Sequence, residues 1–166
     1  MEITSVSAFL DYYEKIRQRT LRVVRCIPPE QIEWTYQPGK FTIGDLVRHI
    51  SAIERYLYAE NVRQQKSRYS GHGRELADGY DAVMKFMIQT HRESMQLFSE
   101  LKDDDLQKKC INPDGTSITI WKWLRAMVEH EIHHRGQIYL YLAMMNVATP
   151  PLFGLTSEEV RARSLR

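Results

Sequence analysis

Three histidines in this chain have the type and spacing to share one metal ion: His49, and the pair His130 and His134. Helical residues four apart project from the same face about one turn apart, so the rings of such a pair reach a common point. His49 falls on a different predicted helix, in a stripe with Ile53, Tyr56 and Glu60 at the margin of the apolar face. A side chain at such a margin can look into a cleft between helices. A metal held by three neutral imidazoles keeps its full positive charge and an open coordination position, the arrangement of a catalytic site rather than a closed structural one. It also gives buried imidazoles the partner without which their desolvation is costly. Histidine suits zinc, nickel, copper and iron alike, so the donor set does not choose the metal.

The elements that must position these residues are helices. Apolar positions keep helical period through four long segments, with no run of strand signals. The first spans residues 5–26, with Phe9, Tyr12, Tyr13, Ile16, Thr20, Val23 and Val24 on one side, and is stopped by Pro28-Pro29. The second starts at Thr42, a capping residue with Asp45 three positions on, and continues to residue 65; its apolar face is Ile43, Leu46, Val47, Ile50 and Leu57. The third covers residues 76–101, after a glycine-bearing loop (Ser70-Gly71-His72-Gly73-Arg74) that lacks the Lys-Ser/Thr ending of a phosphate loop. Asn112-Pro113-Asp114-Gly115 is a turn whose flanks can pair as a short hairpin. The fourth helix, residues 120–146, is nearly apolar all round. It carries Trp121, Leu124, Val128, Ile132, Tyr139 and Leu142 on one face and Trp123, His130, His134, Gln137 and Tyr141 in an adjoining stripe. The expected fold is all-α, a four-helix bundle with a short hairpin before the last long helix, in a single domain over residues 1–166.

Read literally, His130-Glu131-Ile132-His133-His134 is the H-E-x-x-H pattern of zinc peptidases, in which the glutamate is the general base. The extended version fails, because the positions that should hold glycine and a third histidine are Gln137 and Leu140. Glu131 and Arg135, four apart, can pair with each other. His133 points away from the His130/His134 stripe, and His72 and His91 have no partner at ligand spacing. Gln137, Tyr56, Tyr141 and Trp123 flank the expected site.

The chain has 166 residues, 43% of them hydrophobic, and Lys plus Arg (23) nearly balance Asp plus Glu (21). With the charges dispersed, nothing calls for a nucleic-acid or membrane-surface partner. The longest apolar run, residues 138–145, is far short of the roughly 20 residues that span a bilayer. Two cysteines, Cys26 and Cys110, form neither a disulfide framework nor a CxxC site. The expectation is a soluble, cytoplasmic protein with a small-molecule substrate. Trp121, Tyr139, Leu140, Met144 and Met145 leave more apolar surface on the fourth helix than one bundle covers, which predicts a homodimer. The tail over residues 150–155 either caps the bundle or extends that interface.

Three blocks resemble a known family: Ile27-Pro28-Pro29-Glu30-Gln31 with Trp34; Thr42-Ile43-Gly44-Asp45-Leu46-Val47-Arg48-His49-Ile50; and His130-Glu131-Ile132-His133-His134-Arg135-Gly136-Gln137-Ile138. The last, an H-x-x-x-H run followed directly by Arg-Gly-Gln, is the specific one. Over nearly its whole length the chain resembles the DinB-like (damage-inducible, YfiT-type) four-helix-bundle metalloproteins. The resemblance implies a metal-binding triad on His49, His130 and His134, a divalent ion such as zinc or nickel, and kinship with S-transferases and isomerases that use low-molecular-weight thiols such as bacillithiol or mycothiol. A thiol on the ion would be deprotonated and nucleophilic. Neither cysteine belongs to a motif at the site, so the thiol would come from a cosubstrate. The leading expectation is a metal-dependent transferase joining such a thiol to a small electrophile; the alternatives are a hydrolase using metal-bound hydroxide and a non-catalytic metal-binding module.

Overall fold

The computed structural model describes residues 2–165. Helix α1 (Val6–Val24) starts at Ser5, whose hydroxyl accepts the Ala8 N–H at 3.4 Å, and ends before Pro28-Pro29, where a 3₁₀ turn follows (Pro29–Gln31). Helix α2 (Ile43–Ile53) opens on a reciprocal cap: Thr42 Oγ1 accepts from the Asp45 N–H, and Asp45 Oδ2 from the Thr42 N–H, both at 2.9 Å. It continues through a π-helical turn (Glu54–Tyr58) into a last α-helical turn (Ala59–Val62). Helix α3 (Tyr80–Ser99) follows a long loop. Strands β1 (Lys109–Ile111) and β2 (Ser117–Thr119) pair antiparallel, Cys110 opposite Ile118, and lead into α4 (Ile120–Met144). A short helix α5 (Ser157–Ser164) ends the described chain behind a Thr156/Glu159 capping box.

The all-α bundle with a hairpin ahead of the last long helix is as expected, and the element ends differ for local reasons. Helix α2 stops at Val62 rather than residue 65 because Gln64 turns to φ 61°, outside helical space. Helix α3 starts at Tyr80 rather than residue 76 because Gly79 sits at φ 81°, which a glycine adopts at no steric cost and a helix cannot pass through. No helix among the described residues is long and apolar enough to cross a membrane.

Each of α1 and α2 packs against both α3 and α4, so the consecutive helices α1 and α2 lie on a diagonal of the bundle. The apolar core has two parts. One gathers Phe9, Tyr13, Leu57, Phe98, Leu106, Leu124 and Val128; the other Leu21, Val24, Ile43, Val47, Ile50, Met87, Ile138 and Leu142. Between them, at the same level of all four helices, lies a buried polar layer: Arg17 and Thr20 from α1, Glu54 from the π-helical turn, His91 and Ser94 from α3, and Glu131 from α4. The Arg17 guanidinium pairs with Glu54 and, at 3.0 Å, with Glu131. Tyr13 Oη and Thr20 Oγ1 donate to the two oxygens of Glu131 at 2.9 and 2.6 Å. His91 places Nδ1 2.8 Å from Glu54 and Nε2 3.1 Å from Glu14.

Burial alone would raise the Glu54 pKa, but the Arg17 charge beside it and then His91 hold it below the ordinary carboxylate value. Removing one carboxylate leaves Arg17 charged, fully buried and under-compensated. Glu54→Ala is therefore expected to destabilise the fold by on the order of 3 kcal/mol, read from urea unfolding at pH 7. A loss below about 1 kcal/mol would place this layer among the weak ion pairs of the surface.

Candidate metal centre

The start of α2, which carries His49, is pinned from outside. The Gly44 N–H donates to the Ile32 carbonyl at 2.6 Å, and a Cβ on residue 44 would lie 2.7 Å from that oxygen, so only glycine lets the preceding segment come this close. Less than two turns further on, His49 faces α4, and one turn of α4 supplies His130 and His134.

The three rings converge. His130 Nε2 lies 3.1 Å from His49 Nε2 and 3.0 Å from His134 Nε2. One ligand atom from each ring falls within 4.8 Å of the others, an arrangement that can hold a metal ion. The outer nitrogens of two rings are engaged from behind. His134 Nδ1 is 2.6 Å from Gln137 Oε1, which can only accept, so Nδ1 carries the proton and Nε2 keeps a bare lone pair. His49 Nδ1 is 2.7 Å from Tyr69 Oη, and the same hydroxyl lies 3.4 Å from His72 Nδ1. Nε2 lone pairs brought this close repel unless a proton or a cation stands between them, and this fit of neutral donors with oriented outer nitrogens is what a metal centre requires.

Burial first, then the neighbouring imidazoles, push the pKa of His49 down to about 4 and that of His130 to about 3. Burial also lowers His134. All three rings are thus neutral, ligand-competent bases at pH 7.

Aromatic side chains wall the site. Phe41 packs on His72 with ring centres 4.0 Å apart and on His49 at 5.8 Å. Tyr58 lies between Trp123 (4.5 Å) and His130 (6.2 Å). Of the four residues expected to flank the site, Gln137 orients a histidine directly and Tyr141 donates its hydroxyl to the Phe41 carbonyl at 3.2 Å. Trp123 reaches the site through Tyr58, and Tyr56 instead lies under the guanidinium groups of Arg55 and Arg68.

Several residues behave differently from expectation. Glu131 is not paired with Arg135: it turns into the polar layer of the core, 2% exposed, while Arg135 reaches the Ile16 carbonyl. Successive helical positions point about 100° apart, so a glutamate directly after His130 faces the core when the histidine faces α2. The H-E-x-x-H match therefore offers no general base at the metal centre. His72, unpartnered in sequence terms, belongs to the shell behind His49, and His91 is a core residue whose ring nitrogens face Glu54 and Glu14. His133 is exposed, its ring 5.0 Å from that of His134. Neither thiol joins the histidine cluster; Cys110 is buried in the hairpin, where desolvation pushes its pKa up to about 11.

The sequence over residues 12–138 matches the model of the DinB superfamily, and the chain belongs to that family. No curated protein sequence matches it. Among solved structures, it is similar to a DinB-like protein from Bacillus cereus, with a TM-score of 0.75 and 16% identity over 89% of this chain and 97% of the other. It is also similar to YfiT from Bacillus subtilis, described as a probable metal-dependent hydrolase with an unusual four-helix bundle topology, with a TM-score of 0.68 and 16% identity over 86% and 89%. A third similar structure is a mycothiol-dependent maleylpyruvate isomerase, with a TM-score of 0.64 and 13% identity over 80% of this chain and 60% of that longer one. At such identities these likenesses establish the fold.

The lowered histidine pKa values carry a sign. The folded values lie below the ordinary 6.5, so between them the unfolded chain binds more protons. The resulting stability is complete above about pH 6.5 and is lost as pH falls through the folded values. In chelator-treated protein the urea midpoint should drop from pH 7 to pH 4, and drop less in His130→Gln. Equal slopes for the two proteins would contradict the assignment.

Proposed function

We propose that the chain binds a divalent metal ion through Nε2 of His49, His130 and His134, and that the loaded protein transfers a low-molecular-weight thiol to a small electrophile. The observation that carries the first half is the convergence of the Nε2 atoms of His49 and His134 on that of His130, at 3.1 and 3.0 Å, with the outer nitrogens of two rings engaged by Tyr69 and Gln137. Zinc and nickel both suit such a donor set. A divalent ion held by these three imidazoles would act as a Lewis acid and lower the pKa of a thiol substrate toward the thiolate form.

The chain's own residues do the rest. The neutral rings leave the ion's charge undiminished, Gln137 and Tyr69 fix ring orientation, and the aromatic wall from Phe41 to Tyr58 limits water. Two considerations support thiol transfer over hydrolysis. Glu131 faces the core and is not available to deprotonate water, and a similar fold is used by a mycothiol-dependent isomerase. Hydrolysis by metal-activated water is the second reading, favoured by the likeness to YfiT. A non-catalytic metal-binding module is the reading left if neither activity is found.

Replacing His49, His130 or His134 by Ala should each abolish stoichiometric binding of about one ion per chain, while exposed His133→Ala should retain it. Metal-loaded protein should accelerate conjugation of a small thiol such as bacillithiol or mycothiol to an electrophile, with the rate lost on chelation and restored by zinc or nickel. Ester hydrolysis at a comparable rate without any thiol would favour the second reading.

We also propose a homodimer through α4. Trp121, Tyr139 and Met145 pack against the core, but Leu140 and Met144 are 54% and 51% exposed, joined by Ile132 at 37% on the same side of the helix. The tail covers part of the bundle through Leu152, with Phe153 left exposed beside Arg19. Sedimentation equilibrium at micromolar concentration should give twice the chain mass, falling to one chain in Leu140→Glu. A wild-type mass near 19.6 kDa would exclude the dimer.

A further inference from the structure

The residue before the half-buried His49, Arg48, is fully buried. Arg48 makes five hydrogen bonds: Nη1 and Nη2 to the two Glu33 oxygens at 2.7 and 3.0 Å, Nη2 to Asp45 Oδ1 at 2.7 Å, Nη1 to the Ala77 carbonyl at 3.0 Å, and Nε to the His72 carbonyl at 2.9 Å. Two carboxylates fix the guanidinium plane, and its remaining donors hold two points of the long loop between α2 and α3. The loop's other end is tied to the π-helical turn. The Tyr56 carbonyl accepts from the Arg68 N–H at 2.9 Å and from Ser67 Oγ at 2.8 Å, and buried Glu60 accepts from the Arg68 N–H at 2.9 Å. Between these ties stand Tyr69 and His72, the two groups behind His49.

We infer that Arg48 is a positioning residue for the metal centre, acting through residues 67–77: it clamps that loop so that Tyr69 and His72 hold His49 with its proton on Nδ1 and its Nε2 lone pair toward the other histidines. Of the two self-consistent donor directions, the outward one leaves His49 Nε2 bare. If His49 Nδ1–H donates to Tyr69 Oη, the hydroxyl is free to donate to His72 Nδ1. Lysine cannot replace arginine here, because an ammonium has three donors radiating from a point, whereas the guanidinium spans two carboxylates and two carbonyls in one plane. The inference rests on the metal-binding reading only for its consequence; the clamp itself concerns the tautomer of His49.

The test uses the full chain in two states. In chelator-treated protein, imidazole ¹⁵N NMR should show His49 as the Nδ1–H tautomer, shifting to a mixture in Arg48→Lys and in Tyr69→Phe. In a Co²⁺ titration followed by visible absorption, each variant should bind about 10- to 100-fold more weakly than wild type. The double variant should bind no more weakly than Tyr69→Phe alone, because Arg48 acts through that tyrosine. An unchanged His49 tautomer in Arg48→Lys overturns the inference, and so do losses that multiply in the double variant, which would mark general destabilisation. If wild type fails to bind Co²⁺ while the tautomer still responds, the metal reading falls and the clamp stands.

Discussion

The constraint on which the site depends is the crowding of three imidazole nitrogens, which repel unless a proton or a cation stands between them. His130 Nε2 stands near 3 Å from the Nε2 atoms of both His49 and His134, in surroundings buried enough to keep all three rings neutral. Nitrogens in that arrangement are far more comfortable around a cation than around each other, and the chain spends other interactions to hold them there. Gln137 and Tyr69 engage the far side of two rings, and Tyr69 is held in turn by a loop tied to α2 at both ends.

Helix α4 serves three environments at one level of the bundle. Toward α2 it presents His130 and His134; toward α1 it presents Glu131, which meets Tyr13, Thr20 and Arg17; away from both it exposes Ile132, one residue further round. The polar layer and the histidine cluster thus share a turn of helix. Glu131, held by Arg17, Tyr13 and Thr20, fixes the depth and rotation of α4 against α1, because a shift of one residue would bury it without these partners. That same rotation aims the histidines at His49.

How much of this was legible in the sequence follows from what is local and what is not. The helix cap at Thr42 and the pair His130/His134 are legible because their partners lie within four residues, and the margin position of His49 follows from helical period. Local reasoning misreads Glu131, since its nearest sequence candidate, Arg135, loses to groups on α1 more than a hundred residues away. It also passes over His72, which lies in a loop without periodicity and is brought to the site by Arg48 and Tyr69. The π-helical turn leaves no mark in the hydrophobic pattern, yet its Tyr56 carbonyl anchors the loop. The mid-chain polar layer was invisible for a related reason: four helices each contribute one or two polar residues, and only packing brings them to one level.

X-ray absorption at the edge of the bound metal, on protein loaded with zinc and free of added thiol, tests the central claim most directly. Three imidazole shells with nitrogen at about 2.0–2.1 Å are expected, reduced to two in His49→Ala wherever residual metal binds. A sulfur neighbour at about 2.3 Å, or an unchanged imidazole count without His49, would show that the ion sits elsewhere on the chain.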